Sequence, residues 1–169
     1  NAPNQIIADP PYVYLVNSGT GSLQVLQNHG AAFPDGGPAG DGGLALATLA
    51  ETPLGANTYP QGLVKAGTAL WIPLYGGFGA GGAAAGQKVL KVDVSNPAVP
   101  YVLSTVQLGG LDLKPFDGGA PVARPYAVTA HNTPDGGFIY VAPNNLNPDT
   151  YVPEGPGLIA KINPVSETV

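Results

Sequence analysis

One arrangement recurs three times along the chain: a proline opens an apolar run, a turn follows, and a second run rich in β-branched and aromatic residues comes next. The copies begin at Pro3 ("PNQIIADPPYVYLVN"), Pro60 ("PQGLVKAGTALWIPL") and Pro125 ("PYAVTAHNTPDGGFIYVAP"). Short runs of this composition, bounded by Gly, Pro and Asp, are typical of β-strands joined by turns. The repeat therefore predicts an all-β chain in which each copy contributes at least two strands.

Each pair of runs is followed by further stretches that predict strands. Third strands are predicted at 22–27, 88–94 and 157–163, and fourth strands at 44–50 and 101–108. The third unit ends at Val169, where its fourth strand would begin. Only the stretch 42–55 is compatible with a helix, and its apolar residues do not keep a strong 3.6-residue period. The chain is therefore predicted to consist almost wholly of strands.

Four-stranded units repeated in tandem are typical of β-propellers, in which each unit is one blade. We predict a single propeller segment over residues 1–169, with blades at about 3–59, 60–124 and 125–169 and with the last blade incomplete. The units begin 57 and then 65 residues apart. Common blades are roughly 40–50 residues long, so the long loops account for much of the excess.

Several stretches resemble the repeats of YVTN/NHL-type β-propellers. They are "YVYLVNSGTGSLQVLQ", "FIYVAPNN", "KVDVSNP" and "DGGPAGDGGLALATLAETPLG", the last of which leads into "PQGLV". This last stretch resembles the glycine-aspartate turn that precedes the P-x-G-[VIL] strand of NHL-type repeats. The chain departs from the family in its irregular unit lengths and in lacking the run D-x-x-G-N-[LI]-Y-V-[AV]. The resemblance implies a fold and no particular activity, because such propellers include enzymes, binding modules and scaffolds.

The number of units predicts that the segment needs a partner. Propellers typically have about four to eight blades, and three blades leave sheet faces and edges without neighbours. We expect these residues to pack against a protein partner or against further blades. The further blades would come from a longer parent chain or from a second copy that completes a six-bladed ring.

The composition excludes some classes of function and indicates a location. Six Lys and Arg residues stand against eleven Asp and Glu, for a net charge of −5. This balance argues against binding to nucleic acid, which needs clustered cations. The chain has no Cys and therefore no thiolate metal site or thiol nucleophile. No apolar run approaches the roughly 18 residues of a transmembrane helix.

Low charge with abundant Gly, Pro, Asn and Thr predicts a secreted, periplasmic or cell-surface protein. The absence of Met indicates a processed or excised piece of a longer protein.

Acidic glycine-rich turns provide a candidate metal site. The stretch "PDGGPAGDGG" contains Asp35 and Asp41, and Asp117 and Asp135 stand in similar turns. Flexible oxygen-rich loops can hold Ca²⁺, which takes about six to eight oxygen ligands. Asp-Gly is also the commonest sequence of a tight turn, and the spacing matches no known Ca²⁺ loop. Both interpretations remain open, with Asp35 and Asp41 as the candidate ligands.

The sequence offers little support for catalysis. There is no G-x-S-x-G nucleophile motif, and the two histidines, His29 and His131, have no nearby ligand set. His131 ends a predicted first strand, which in a propeller lines the central channel. The alternative to a binding module is therefore a propeller hydrolase or oxidoreductase with a channel metal, held by His131 with Asp9 or Asn132.

The leading prediction is a non-catalytic binding or scaffold module whose recognition surface lies in its loops. The runs 76–86 and 144–156 are variable in length and rich in Gly, Pro and Asn. Variable loops on a rigid frame commonly carry binding residues, and exposed aromatic side chains supply contact area. The candidate binding residues are Tyr75, Phe78, Asn144, Asn145 and Tyr151.

Overall fold

The three repeat units form three separate antiparallel sheets in a computed structural model of the chain, which describes residues 2–28, 46–131 and 137–169. The strands are β1 (Pro3–Asp9), β2 (Tyr12–Asn17), β3 (Ser22–Asn28), β4 (Leu46–Pro53), β5 (Val64–Ala66), β6 (Ala69–Leu74), β7 (Lys88–Asp93), β8 (Tyr101–Gln107), β9 (Val122–His131), β10 (Phe138–Leu146) and β11 (Ala160–Ile162). One short helix, α1 (Gly79–Ala85), lies between β6 and β7. The all-β prediction is confirmed.

Each sheet is a meander in which consecutive strands pair with each other. Sheet 1 has the order β1-β2-β3-β4, sheet 2 has β5-β6-β7-β8, and sheet 3 has β9-β10-β11. Within the part of the chain that the structure describes, sheet 3 therefore has three strands where the other two have four. Every neighbouring pair is antiparallel, as expected where each strand pairs with the next one along the chain.

The first strand of the second unit begins later than the repeat pattern predicts. The pattern opens this unit at Pro60, whereas Pro60 makes only an isolated bridge with Leu74 and β5 begins at Val64. Proline has no N–H to donate to a ladder. The backbone that follows is satisfied by the neighbouring sheet instead, because the Leu63 N–H donates to Oε1 of Gln5 over 2.8 Å.

One segment confirms a predicted strand, and another differs in type from the sequence expectation. The fourth strand predicted at 44–50, within the helix-compatible stretch 42–55, is present as β4 from Leu46, and residues 42–45 lie outside the described residues. The glycine-rich run 76–86, which the sequence predicts as a flexible surface loop, contains helix α1. A Cβ on Gly82 would collide with the main-chain carbonyl of Gly77. Glycine is required there because backbone packs against backbone.

Alternation along β6 divides the side chains of sheet 2 between two apolar clusters. Leu70, Ile72 and Leu74 pack with buried side chains of sheet 1, whereas Trp71 packs with those of sheet 3. All four are at most 1% exposed, and burying each side chain contributes roughly 1.5–3 kcal/mol. The three sheets are therefore stacked in sequence order. We call the face of each sheet that points towards the following sheet its forward face, and the opposite face its rear face.

The first strands of sheets 1 and 3 approach each other across the segment before β5. A Cβ on Gly62 would lie 2.9 Å from Oε1 of Gln5 and 3.3 Å from the carbonyl oxygen of Tyr126. The side chain of Asn4 also donates to the carbonyl oxygen of Pro60 over 3.3 Å. The first strands of sheets 1 and 3 therefore both contact the segment at Gly62 that leads into β5.

Candidate functional site

The loops that join second to third strands lie at one end of the sheets, which we call the loop end. These loops are 18–21 in sheet 1, 75–87 in sheet 2 and 147–159 in sheet 3. The first loop is a tight turn, whereas the other two are long and carry most of the predicted binding residues. The N–H groups of Gly76 and Gly77 donate to the carbonyl oxygens of Thr58 and Asn57 over 2.8 and 2.9 Å. This pairing ties the second loop to the segment before β5.

Four aromatic side chains from these loops and from β9 contact one another: Tyr75, Phe78, Tyr126 and Tyr151. We call them the aromatic cluster. The rings of Tyr75 and Tyr151 are stacked, with centroids 5.8 Å apart and planes 4° from parallel. Phe78 meets the Tyr151 ring edge to face at 4.4 Å, and Tyr126 meets the Tyr75 ring in the same way at 6.3 Å. The sequence prediction named three of these residues, and the structure brings those three together.

Arg124 lies beneath the aromatic cluster and holds both long loops. Its side chain is fully buried, and Nη1 donates to the carbonyl oxygens of Tyr75, Gly76 and Gly77 over 3.0, 2.9 and 2.7 Å. Nη2 donates to the carbonyl oxygen of Pro148 over 3.1 Å. Charge-assisted hydrogen bonds of this kind are stronger than neutral ones. A single guanidinium therefore fixes one loop from sheet 2 and one from sheet 3 in register.

The guanidinium of Arg124 also faces the two stacked rings. Its Cζ lies 5.5 Å from the Tyr75 centroid and 4.6 Å from the Tyr151 centroid, within the range of cation–π attraction. Burial raises the pKa of the Tyr75 hydroxyl above its usual value, although Arg124 acts in the opposite direction. The Tyr75 hydroxyl is therefore uncharged at physiological pH.

The exposed part of the aromatic cluster is formed by two of its members. Phe78 is 75% exposed and Tyr126 is 54% exposed, whereas Tyr75 and Tyr151 are half-buried. Exposed rings on a fixed base provide contact area at a low cost in side-chain entropy, because the base is already ordered. This arrangement can bind a partner that offers apolar or aromatic groups.

The two predicted asparagines occupy different environments on β10. Asn144 is exposed and lies opposite Arg124 in the β9–β10 ladder. Asn145 is buried, and its Nδ2 donates to the carbonyl oxygens of Leu113 and Pro156. Asn145 therefore positions the loops beneath the surface, and any role in binding is indirect.

Glu154 fixes the third loop against the connection between sheets 2 and 3. Its Oε2 accepts from the N–H of Ala120 over 2.9 Å, and its Oε1 accepts from Nδ2 of Asn147 over 2.7 Å. Its main-chain carbonyl accepts from the N–H of Phe116 over 2.6 Å. The loop end is therefore held by polar side chains as well as by packing.

The residues of the alternative metal site lie away from the aromatic cluster. His131 is exposed at the far end of β9, seven residues beyond Arg124, and Asp9 forms an ion pair with Lys65 at 2.9 Å. Asn132 lies outside the described residues. Across 2–28, 46–131 and 137–169, no three His, Cys, Asp or Glu side chains are grouped as a metal site would require. The channel site at His131 stays a prediction.

The candidate Ca²⁺ ligands Asp35 and Asp41 lie outside the residues that the structure describes, as do His29 and Asp135. Asp117 is in a turn. The calcium site therefore stays a prediction as well. No helix in the described part of the chain is long and apolar enough to cross a membrane.

Sequence reasoning missed Arg124 and Tyr126, which carry the base and part of the surface of the aromatic cluster. A usable signal exists for the first, because Arg124 is the only arginine of the chain and directly precedes the repeat proline Pro125. Arginine is seldom fully buried without partners. No comparable signal marks Tyr126, which follows that proline like any strand residue.

Comparisons with known proteins give no family for this chain. No protein-family model matches it, and no curated protein matches it with significance. The resemblance to YVTN/NHL-type repeats therefore stays a prediction.

Proposed function

We propose that this chain is a non-catalytic recognition module that binds a protein partner through the aromatic cluster. The observation that carries the proposal is the exposure of Phe78 and Tyr126 on a base that Arg124 holds fixed. Aromatic residues are enriched among the side chains that dominate binding energy at protein interfaces. None of the four rings belongs to the two buried apolar clusters of the described residues, so recognition explains the exposed rings better than folding does.

We further propose that the three sheets are consecutive blades of a β-propeller segment. Three observations support this arrangement: each sheet is a meander, the sheets are stacked face to face in chain order, and the first strands of sheets 1 and 3 meet at Gly62. In a propeller the first strands line the central channel and the loops at each end are the usual binding surfaces. The aromatic cluster would then lie on one end surface of the propeller.

The composition supports a location outside the cytoplasm, in the secreted, periplasmic or cell-surface class. Only 10% of the residues are charged, and Gly, Pro and Asn predominate in the loops. The partner proposed for the aromatic cluster is therefore another exported or surface protein.

The proposed function is tested with a double variant that removes the exposed rings and leaves the base intact. Phe78→Ala with Tyr126→Ala is preferred to a change at Arg124, whose loss would remove a hydrogen-bond donor from four main-chain carbonyl oxygens. The matched control is Tyr101→Ala with Val99→Ala, because Tyr101 is 53% exposed and lies in β8, away from the cluster.

Immobilised wild-type chain and both variants are exposed to extracellular and envelope fractions of the source cells. A protein retained by the wild type and the control is then purified and titrated against all three by calorimetry. We expect the double variant to weaken the dissociation constant at least about tenfold, a loss of roughly 1.4 kcal/mol. A dissociation constant within about twofold of the wild type, or the lack of any protein retained selectively by the wild type, would contradict the proposed function.

A further inference from the structure

The forward faces of the three sheets carry a large aromatic side chain at the same position of the second strand. Tyr14, Trp71 and Tyr140 occupy this position in sheets 1, 2 and 3, as the strand registers show. Sheet 2 covers Tyr14 and sheet 3 covers Trp71, so that each is only 1% exposed. Tyr140 is half-buried, and no sheet covers it within the part of the chain that the structure describes. The forward face of sheet 3 therefore carries the kind of side chain that packs between sheets 1 and 2 and between sheets 2 and 3, but no described sheet packs against it.

Two of these aromatic residues, Trp71 and Tyr140, lie opposite a lysine, and the two lysines also differ in whether the following sheet contacts them. Lys91 lies opposite Trp71 in the ladder, with its Nζ 5.3 Å from the ring centroid. Its Nζ also forms an ion pair with Glu167 at 2.9 Å and donates to the carbonyl oxygen of Pro164. Both partners come from the segment that follows β11, so the next sheet supplies the carboxylate.

Lys161 is the equivalent lysine of sheet 3. It lies opposite Tyr140 in the ladder, and its Nζ is 3.7 Å from the ring centroid of Phe138. Lys161 is exposed, and among the described residues it makes no ion pair. The forward face of sheet 3 therefore presents aromatic side chains and the ammonium group of Lys161. In the part of the chain that the structure describes, Lys161 has no carboxylate partner of the kind that Glu167 provides for Lys91.

The rear face of sheet 1 offers the complementary groups. Its apolar side chains include Ile6, which is 60% exposed, together with Val13 and Leu15, which are partly exposed. Glu51 lies on the same face, opposite Gln24 in the β3–β4 ladder, and is exposed. Its Oε1 accepts from the hydroxyl of Ser22 over 2.7 Å, which holds the carboxylate in place.

The charges of the two terminal sheets are of opposite sign. The strands of sheet 1 contain the acids Asp9 and Glu51 and no Lys or Arg. The strands of sheet 3 contain Arg124 and Lys161 and no Asp or Glu. Arg124 is buried, so Lys161 is the cation presented at the forward face. Complementary charge fixes the register of an interface and disfavours other pairings.

We propose that the forward face of sheet 3 binds the rear face of sheet 1 of a second copy of this chain, with Lys161 of one copy paired to Glu51 of the other. A two-fold axis makes the same contact twice, so two copies close a ring of six stacked sheets. The contact continues the packing of sheet 2 on sheet 1 and of sheet 3 on sheet 2. It does not involve the aromatic cluster, so the two proposals fail independently.

The test is the mass of the chain in solution, measured by sedimentation equilibrium over a dilution series. The wild type is expected at twice its chain mass of 17.0 kDa. Lys161→Glu places a carboxylate opposite Glu51 and is expected to weaken dimerisation at least about tenfold. Glu51→Lys is expected to do the same, and the double variant Lys161→Glu with Glu51→Lys is expected to restore the dimer, because the pair is then reversed.

Lys114→Glu is the charge control, since the Lys114 side chain is 70% exposed in a loop, and it should leave the dimer unchanged. Cooperative thermal melting of every variant verifies that it is folded. A wild-type monomer, open polymers in place of a closed dimer, or a dimer that Lys161→Glu does not weaken would each overturn the proposal.

Discussion

The forward faces of sheets 2 and 3 are built from the same kinds of residue and differ in what covers them. Trp71 with Lys91 and Tyr140 with Lys161 are the corresponding aromatic–lysine pairs. The first pair is packed beneath sheet 3 and its lysine is paired with Glu167, whereas the second pair is partly exposed. The two strand positions therefore carry the same type of residue although only one of them is covered by a following sheet.

This comparison shows that burial is a property of the neighbouring sheet as well as of the sequence. Successive side chains of β6 and β10 point to opposite faces of their sheets, and each strand places a large ring on the forward face. Such a ring becomes part of a core only where the following sheet packs against it. The energetic difference between the two faces can therefore be measured directly by truncating equivalent residues.

The largest difference is expected between the two aromatic truncations. Trp71→Ala should lower the free energy of unfolding by about 3–5 kcal/mol, because it leaves a cavity between sheets 2 and 3. Tyr140→Ala should cost less than about 1 kcal/mol at low protein concentration, because its ring is already partly in water. Urea unfolding monitored by circular dichroism measures both.

Protein concentration sharpens the same comparison. If a second copy covers Tyr140, the cost of Tyr140→Ala should grow as concentration rises, since association stabilises the folded state by mass action. The cost of Trp71→Ala should not rise with protein concentration in this way, because the contacts that Trp71 loses lie within one copy of the chain. Equal costs for the two truncations at low concentration would show that the forward faces do not differ as described.

Much of the fold follows from the sequence because strand periodicity and turn residues are local signals. The second run of each repeat copy, at 12–16, 70–74 and 138–142, lies within β2, β6 and β10, as the repeat predicts. The fourth strand of unit two, predicted at 101–108, is β8. Helix α1 could not be predicted, since its glycine-rich sequence disfavours a helix. Its formation depends on close backbone contacts within the loop.

The candidate site was only partly predictable. Loop aromatic residues such as Tyr75 and Tyr151 stand out in the sequence, because large rings are unusual in loops of this composition. Their stacking depends on Arg124, which is distant in sequence from Tyr75 and reaches it only after sheets 2 and 3 are packed. Asn145 has a buried structural role that residue type alone does not reveal.

A smaller effect is expected at the two lysines. Lys91→Met should lower the free energy of unfolding by about 1–2 kcal/mol, because it removes both a partly buried ion pair with Glu167 and a hydrogen bond to Pro164. Lys161→Met should cost about 0.5 kcal/mol or less at low concentration, since only its contact with the Phe138 ring is lost. Chemical unfolding in urea, which leaves ion pairs unscreened, measures the difference. A larger cost at Lys161 than at Lys91 would reverse the comparison.

The smallest effect is the pH dependence that the Lys91–Glu167 pair gives to the covered face. The hydrogen bond from Lys91 lowers the pKa of Glu167 below its usual value of 4.5. A carboxyl whose pKa is lowered by folding contributes stability above its unfolded pKa and loses that contribution as the pH falls through its folded pKa. The wild type should therefore exceed Glu167→Gln by about 0.5–1 kcal/mol at neutral pH. That margin should shrink as the pH falls below 4.5 and through the lowered pKa of folded Glu167, because the carboxyl then becomes protonated. Urea unfolding of both proteins from pH 7 downwards measures it, with Glu154→Gln as the control for a carboxyl outside this contact. A margin that stays constant over this range would mean that the shape of the contact, and not its charge, stabilises the packing of sheet 3 on sheet 2.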